Sequence, residues 1–187
     1  MLRPFVSACF ALVAAAALGS CAGPPPAAPQ DDGGPDPAIL ARQVRALVAH
    51  SETDFWSLRG ETLAAAPRDT TWSSVLELVV GEAARIRADE SFAGPRVAWT
   101  GPAALFATEA AAVAWRDSAA VSVSRALPAW APRPVERGGR RWEECAGGLT
   151  TGREVRLAPE RRAADWAVRL RVQRSTGALS ATFRCDG

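Results

Sequence analysis

The chain has 187 residues, with 22 basic and 20 acidic side chains, 48% hydrophobic residues and only one histidine. So even a balance gives no electrostatic case for nucleic acid, whose binding needs a basic face. With one histidine, and only Cys145 and Cys185 outside the N-terminal segment, there are too few ligands for a zinc site. Lysine, asparagine and tyrosine are absent, which reads as codon bias toward GC and not as a functional signal.

The N-terminal segment carries an address. Arg3 supplies a short positive region, and Phe5 to Leu18 is apolar and uncharged. That stretch falls short of the roughly 20 residues that span a bilayer core and fits the apolar region of a secretory signal. Leu18-Gly19-Ser20-Cys21 follows. The order of charge, apolar run, small residues and cysteine resembles the type II signal peptide and lipobox of bacterial lipoproteins, over the first 21 residues only. The resemblance implies residues 1–20 as a cleaved signal peptide, lipidation of Cys21 (a palmitate-type acyl anchor) and attachment to the cell envelope. Ala22, in place of an aspartate, implies the outer membrane, facing the periplasm, in a host with two membranes. Residues 21–37 form the lipidated cysteine and its tether, rich in proline and glycine, with Asp31, Asp32 and Asp36 keeping it solvated. This composition buries too little apolar surface to fold, and its prolines favour an extended chain at about 3.1 Å per residue.

Residues 38–187 have the length of a single domain. Asp36-Pro37 is a helix start, with Asp as N-cap and Pro in the first turn; Leu40, Val44, Leu47 and Val48 then share a helical face up to about Ser51. Residues 61–70 around Pro67 read as a loop. Trp72 to Val80 alternates as a strand, Ala84 to Asp89 suits a second and Arg96 to Thr100 a third. The Ala-rich stretch from Ala103 to Leu127 reads as a helix, capped near Thr108 and presenting Phe106, Ala110, Val113 and Ala114. Prolines 128, 132 and 134 with Gly138 and Gly139 mark a long loop. Arg153 to Leu157 suits a strand. The hairpin of Trp166 to Gln173 and Leu179 to Cys185, turning at Ser175-Thr176-Gly177, shows the period-2 alternation of a sheet with one wet face. The expected fold is therefore α+β: helix, three strands, helix, three strands, with an antiparallel sheet and helices packed on one face.

With Cys9 in the signal and Cys21 lipidated, Cys145 and Cys185 remain, and two cysteines in an oxidising compartment read as one disulfide. Catalytic constellations do not emerge. His50 is the sole base for a nucleophilic triad and has no Gly-x-Ser-x-Gly elbow. Glu143 and Glu144 are adjacent, so on a strand they point to opposite faces.

Two groups suit binding. Arg169, Arg171 and Arg184 share the wet face of the hairpin, and Arg137, Arg140 and Arg141 crowd the long loop; guanidinium forks match carboxylate and phosphate. Trp130 and Trp142 lie in or beside that loop, where a ring could stack on a sugar or anchor a protein contact. Trp56, Trp72, Trp99, Trp115 and Trp166 are expected in the core. The expected function is a lipid-anchored envelope protein with a non-catalytic binding or structural domain and no cofactor. Its partners would be the membrane and an envelope protein, acidic glycan or lipid headgroup. The alternatives are an envelope hydrolase of cell-wall glycan or peptide, and an inhibitor or immunity-like protein docking through residues 128–145.

Overall fold

A computed structural model describes residues 34–91, 94–135, 138–176 and 185. Cys21, Arg137, Arg184 and the strand expected over residues 179–184 lie outside the described residues. No helix of the described residues is long and apolar enough to cross a membrane.

Helix α1 (Pro37–Ser51) begins as its sequence requires: the Asp36 carboxylate accepts from the Ala38 amide at 2.8 Å, with Pro37 at the start of the first turn. Leu40, Val44 and Leu47 are fully buried. Asp54 and Phe55 then adopt left-handed backbone (φ 53° and 56°), and the chain turns sharply through a short 3-10 segment, Trp56–Leu58, into the sheet. Burial of the Phe55 ring holds this turn, since left-handed backbone is costly for a bulky residue.

Four strands follow as a meander: β1 (Arg59–Ala66), β2 (Asp69–Ser74), β3 (Arg85–Ser91) and β4 (Gly94–Phe106). Helix α2 (Glu109–Ala126) comes next, and a second meander follows: β5 (Trp130–Val135), β6 (Gly139–Ala146), β7 (Leu149–Arg161) and β8 (Trp166–Ser175). All pairings are antiparallel in one eight-stranded sheet, in the order β1-β2-β3-β4-β8-β7-β6-β5. The two halves thus repeat one topology, a helix followed by four strands, and meet where β4 pairs with β8. Both helices pack on one face, against each other and against β4 and β8. The core between them holds Trp99, Ile86, Leu157, Leu170 and Val172 beneath Val44, Leu47, Ala119 and Val123.

The α+β class and the one-sided helix layer are as expected. The count of three and three strands is not, and each discrepancy has a local cause. Residues 61–70 form the β1–β2 hairpin; β1 is an edge strand exposed from Glu61 onward, so it carries no alternation to read. The strand beginning near Trp72 stops at Ser74, where the Ser74 hydroxyl accepts from the Leu76 amide and donates to the Leu76 carbonyl, bending the chain. Strand β4 runs past Gly101 and Pro102 because a bulge there accommodates the proline in a central strand. The second helix consequently starts at Glu109 and not at Ala103, with the Thr108 hydroxyl capping Ala111. Its buried side chains are Ala112, Trp115, Arg116, Ala119 and Val123, not the face through Ala110 and Ala114.

The expected loop over residues 128–145 is instead the β5–β6 hairpin. Strand β5 is an edge, and Pro132 and Pro134 are two residues apart, so both nitrogens point to the same side. An edge strand tolerates this, since its outer side needs no donors.

The start of the body is fixed as well. Gly34 has φ 54°, and a Cβ there would lie 2.8 Å from the rings of Phe106 and Trp115. The Trp115 indole N–H donates to the Pro35 carbonyl at 2.8 Å. Gly34 and Pro35 therefore sit beside the end of β4.

Candidate anion-binding face

Strand alternation sends Val155 and Leu157 of β7 and Val168, Leu170 and Val172 of β8 toward the helices, and Glu154, Arg156, Arg169, Arg171 and Gln173 to the opposite face, on which no described helix packs. The cross-strand registers build a row along that face: Arg133 on β5, Arg141 on β6, Arg156 on β7, Arg171 on β8, Thr100 on β4 and Arg85 on β3. Like charges directly opposite each other destabilise a sheet pair, so this row needs countercharges or carries an electrostatic cost.

The row is only partly neutralised. Glu143, one position along, lies 3.8 Å from Arg133 and 3.5 Å from Arg141, and Glu154 lies 3.9 Å from Arg141. Asp89 takes Arg96 at 3.1 Å, Asp69 pairs with Arg87, and Glu160 pairs with Arg169. At the centre the pattern breaks. Among the described residues no carboxylate comes within ion-pair distance of Arg156 or Arg171, although the two are direct partners across β7 and β8. Arg171 donates through Nη2 to the Gln173 amide oxygen at 2.6 Å, while its Nε is out of solvent with no hydrogen-bond partner. Burial pushes this guanidinium below its ordinary range; the Glu154 and Asp89 charges oppose that, and Arg96 and Arg156 reinforce it. A cavity of about 250 Å³ opens here, lined by Thr100, Arg156, Ala158, Glu160, Arg169 and Arg171.

Burial raises the Glu154 carboxyl above its usual range, the Arg141 and Arg171 charges notwithstanding. The sign for stability follows. The folded carboxyl keeps its proton to higher pH than the unfolded one, so ionised Glu154 costs stability. That cost is absent below the unfolded-state range and complete above the folded one. Glu154→Gln is therefore expected to gain in melting temperature over the native chain as pH rises from about 4 to about 8. A difference that stays flat or shrinks across thermal melts in that series would contradict it.

The remaining expected site residues are placed differently. Arg140 and Arg141 do not crowd a loop: they are neighbours on β6 and point to opposite faces, Arg140 toward Asp117 of α2 at 3.3 Å. Trp130 and Trp142 are core residues, 9% and 1% exposed, so neither ring is open to stack on a sugar. The Trp142 indole N–H donates to the Ser124 hydroxyl at 2.9 Å. A groove of about 480 Å³ runs between α2 and the β5–β6 hairpin past Val121, Pro132, Arg140 and Trp142, but Asp117 already binds Arg116 and Arg140 there. Conversely Trp56, expected in the core, is 72% exposed with Arg59 stacked on its ring.

Arg133 and Arg156 were not legible as site residues in the sequence, and Arg85 was legible only as outward-facing. Arg156 sits in the alternating run Glu154-Val155-Arg156-Leu157, and that signal places it on the wet face beside Arg171 once β7 pairs with β8. The disulfide joins Cys145 to Cys185 as expected. Glu143 and Glu144 do diverge, toward Arg141 and Arg153 respectively. His50 Nδ1 lies 3.1 Å from the exposed Ser57 hydroxyl, and among the described residues no carboxylate bonds its ring.

Family models, curated proteins and solved structures yield no match to this chain. Its function is therefore argued from its own residues.

Proposed function

We propose that the chain is a lipid-anchored envelope protein whose non-catalytic domain binds an acidic partner across the helix-free face of its sheet. Cys21 would carry the acyl anchor, and in a host with two membranes the body would hang from the outer one into the periplasm. The observation that carries the binding role is the adjacent pair Arg156 and Arg171, held half-buried at the centre of the face with no carboxylate at ion-pair distance among the described residues. Two cations confined side by side without an ion-paired carboxylate repel each other and lose solvation. An acidic group from outside relieves both costs, and guanidinium forks receive it bidentately. Both described helices pack on the other face, and a tether extended at about 3.1 Å per residue gives the body reach from the bilayer.

The test has two arms. The native chain should partition into detergent, and Cys21→Ala should move it to the aqueous phase; unchanged partitioning would remove the anchor. The full mature chain carrying Cys21→Ala should be retained on immobilised poly-glutamate and released by salt, because screening weakens exposed charge contacts. Changing Arg156 and Arg171 together to Gln should abolish that retention. Retention that survives the change would end the reading. The competing hydrolase reading has one supporting contact, the Ser57–His50 pair. Turnover of an ester, peptide or cell-wall glycan substrate that disappears in Ser57→Ala would favour it. The inhibitor reading depends on residues 128–145 as a docking element, and these form a paired hairpin in place of an insertable loop.

A further inference from the structure

We infer that the cavity between Arg156 and Arg171 is a binding site for a phosphate monoester group. This deepens the acidic-partner reading and rests on it.

The charge count selects the ligand. Of the three arginines lining the cavity, Arg169 is already paired with Glu160 at the rim. Arg156 and Arg171 are left without an ion pair, Glu154 acting on both only from beyond ion-pair distance; they are two positive charges on directly opposed residues of β7 and β8, where side chains start about 5 Å apart. A single carboxylate neutralises one of them. A phosphate monoester carries about −1.5 to −2 at neutral pH and offers three acceptor oxygens, which answers both. The donors also match: the Arg156 guanidinium makes no hydrogen bond or ion pair with the described residues, Arg171 spends only its Nη2 on Gln173, and Thr100, opposite Arg171 on β4, adds a hydroxyl.

The surroundings favour a fixed receptor over a mobile charged surface. Both arginines rise from strands paired on either side, so their bases are held by the sheet ladder. Arg171 is further positioned by Gln173, which is itself held by donating to the Ser175 hydroxyl at 3.2 Å. The Arg171 Nε is removed from water without a partner, so this guanidinium is under-satisfied where it stands. Ala158 and Pro159 give one wall without charge. The volume of about 250 Å³ falls below the roughly 300–1,000 Å³ of sites that engulf a whole small molecule. The site is therefore sized for a phosphate head with a short stub, the remainder of the ligand staying outside. Such a head comes either from a soluble phosphate ester or from a lipid with a terminal phosphate.

The probe is glycerol phosphate, titrated calorimetrically into the full mature chain carrying Cys21→Ala. Binding is expected, with acetate and dimethyl phosphate, each a monoanion, at least ten-fold weaker. Arg156→Gln and Arg171→Gln should each weaken glycerol phosphate by about ten-fold or more, the range expected for a lost charge-assisted hydrogen bond. Arg42→Gln, an exposed position on α1, should leave it unchanged. Arg156→Lys guards against a folding artefact, since it preserves charge but not the fork; it should melt like the native chain and still bind more weakly. Equal binding of acetate, or equal loss in Arg42→Gln, would overturn the inference. Co-sedimentation with phosphatidylcholine vesicles containing phosphatidic acid, and not with phosphatidylcholine alone, would assign the group to a lipid; binding confined to the soluble ester would assign it to a solute. If glycerol phosphate fails while retention on poly-glutamate persists, the phosphate site falls and the acidic-partner reading stands. If both fail, both fall.

Discussion

Trp99→Ala is expected to destabilise the protein by about 3–5 kcal/mol, the range for truncating a fully buried aromatic ring. Trp99 lies on β4, the strand through which the first meander joins β8, and its exposure is 0%. Its indole fills the layer between that strand and the helices and lies over Gly101, where a Cβ would stand 2.8 Å from the ring. Its N–H donates to the Ser74 hydroxyl at 2.9 Å, and that hydroxyl also makes the turn that ends β2. One side chain therefore supports the central strand and the boundary of a neighbouring one. Trp99→Phe separates the two roles, because it keeps most of the ring and removes only the donor; about 1–2 kcal/mol is expected from the lost hydrogen bond and the smaller ring. For a domain of this size each kcal/mol corresponds to about 2–4 °C of melting temperature. Urea unfolding of both variants measures the losses. A loss under about 1 kcal/mol for Trp99→Ala would mean that the central strand is not packed as described.

What the sequence disclosed depended on whether a residue had two different sides. Strand β8 was legible throughout because Val168, Leu170 and Val172 face the core while Arg169, Arg171 and Gln173 face outward, a contrast that period-2 reading detects. Helix α1 was legible for the same reason at period 3.6, and Asp36-Pro37 marked its start. Strand β1 has Ala64, Ala65 and Ala66 all exposed on a sheet edge, so it has no buried side to reveal. Strand β5 carries two prolines that mimic a loop and are tolerated only because nothing pairs outside it. Helix α2 is so rich in alanine that its faces barely differ, and the charged Arg116 sits on the buried one, donating to the Gly138 carbonyl. Two of the five arginines of the row, Arg141 and Arg171, stood out in the sequence as candidates for binding. The central pair did not, because Arg156 meets Arg171 only through the register of β7 on β8, and no local pattern fixes that register.

Replacing Cys145 and Cys185 together by Ala is expected to cost about 3–4 kcal/mol by loop-closure entropy, for a cross-link whose ends are 40 residues apart in sequence. The loop contains β7 and β8, so the bond limits the unfolded excursions of the strands that carry Leu157, Leu170, Arg156 and Arg171. It also has a local partner set in the folded state: the Cys185 amide donates to the Gly148 carbonyl at 3.0 Å, and Arg133 donates to the Cys185 carbonyl at 3.2 Å. Both bonds use the backbone of residue 185 and so are open to the alanine of the double variant, which keeps the loss near the entropic value and not above it. Reduction of the native chain should lower its urea midpoint to that of the variant, and the variant should not respond to reductant. Binding of glycerol phosphate should survive in the variant below its unfolding transition, because the cavity is built by strand pairing and not by the cross-link. Alkylation of both thiols without reduction, or a midpoint indifferent to reductant, would show that the bond is absent in the folded protein.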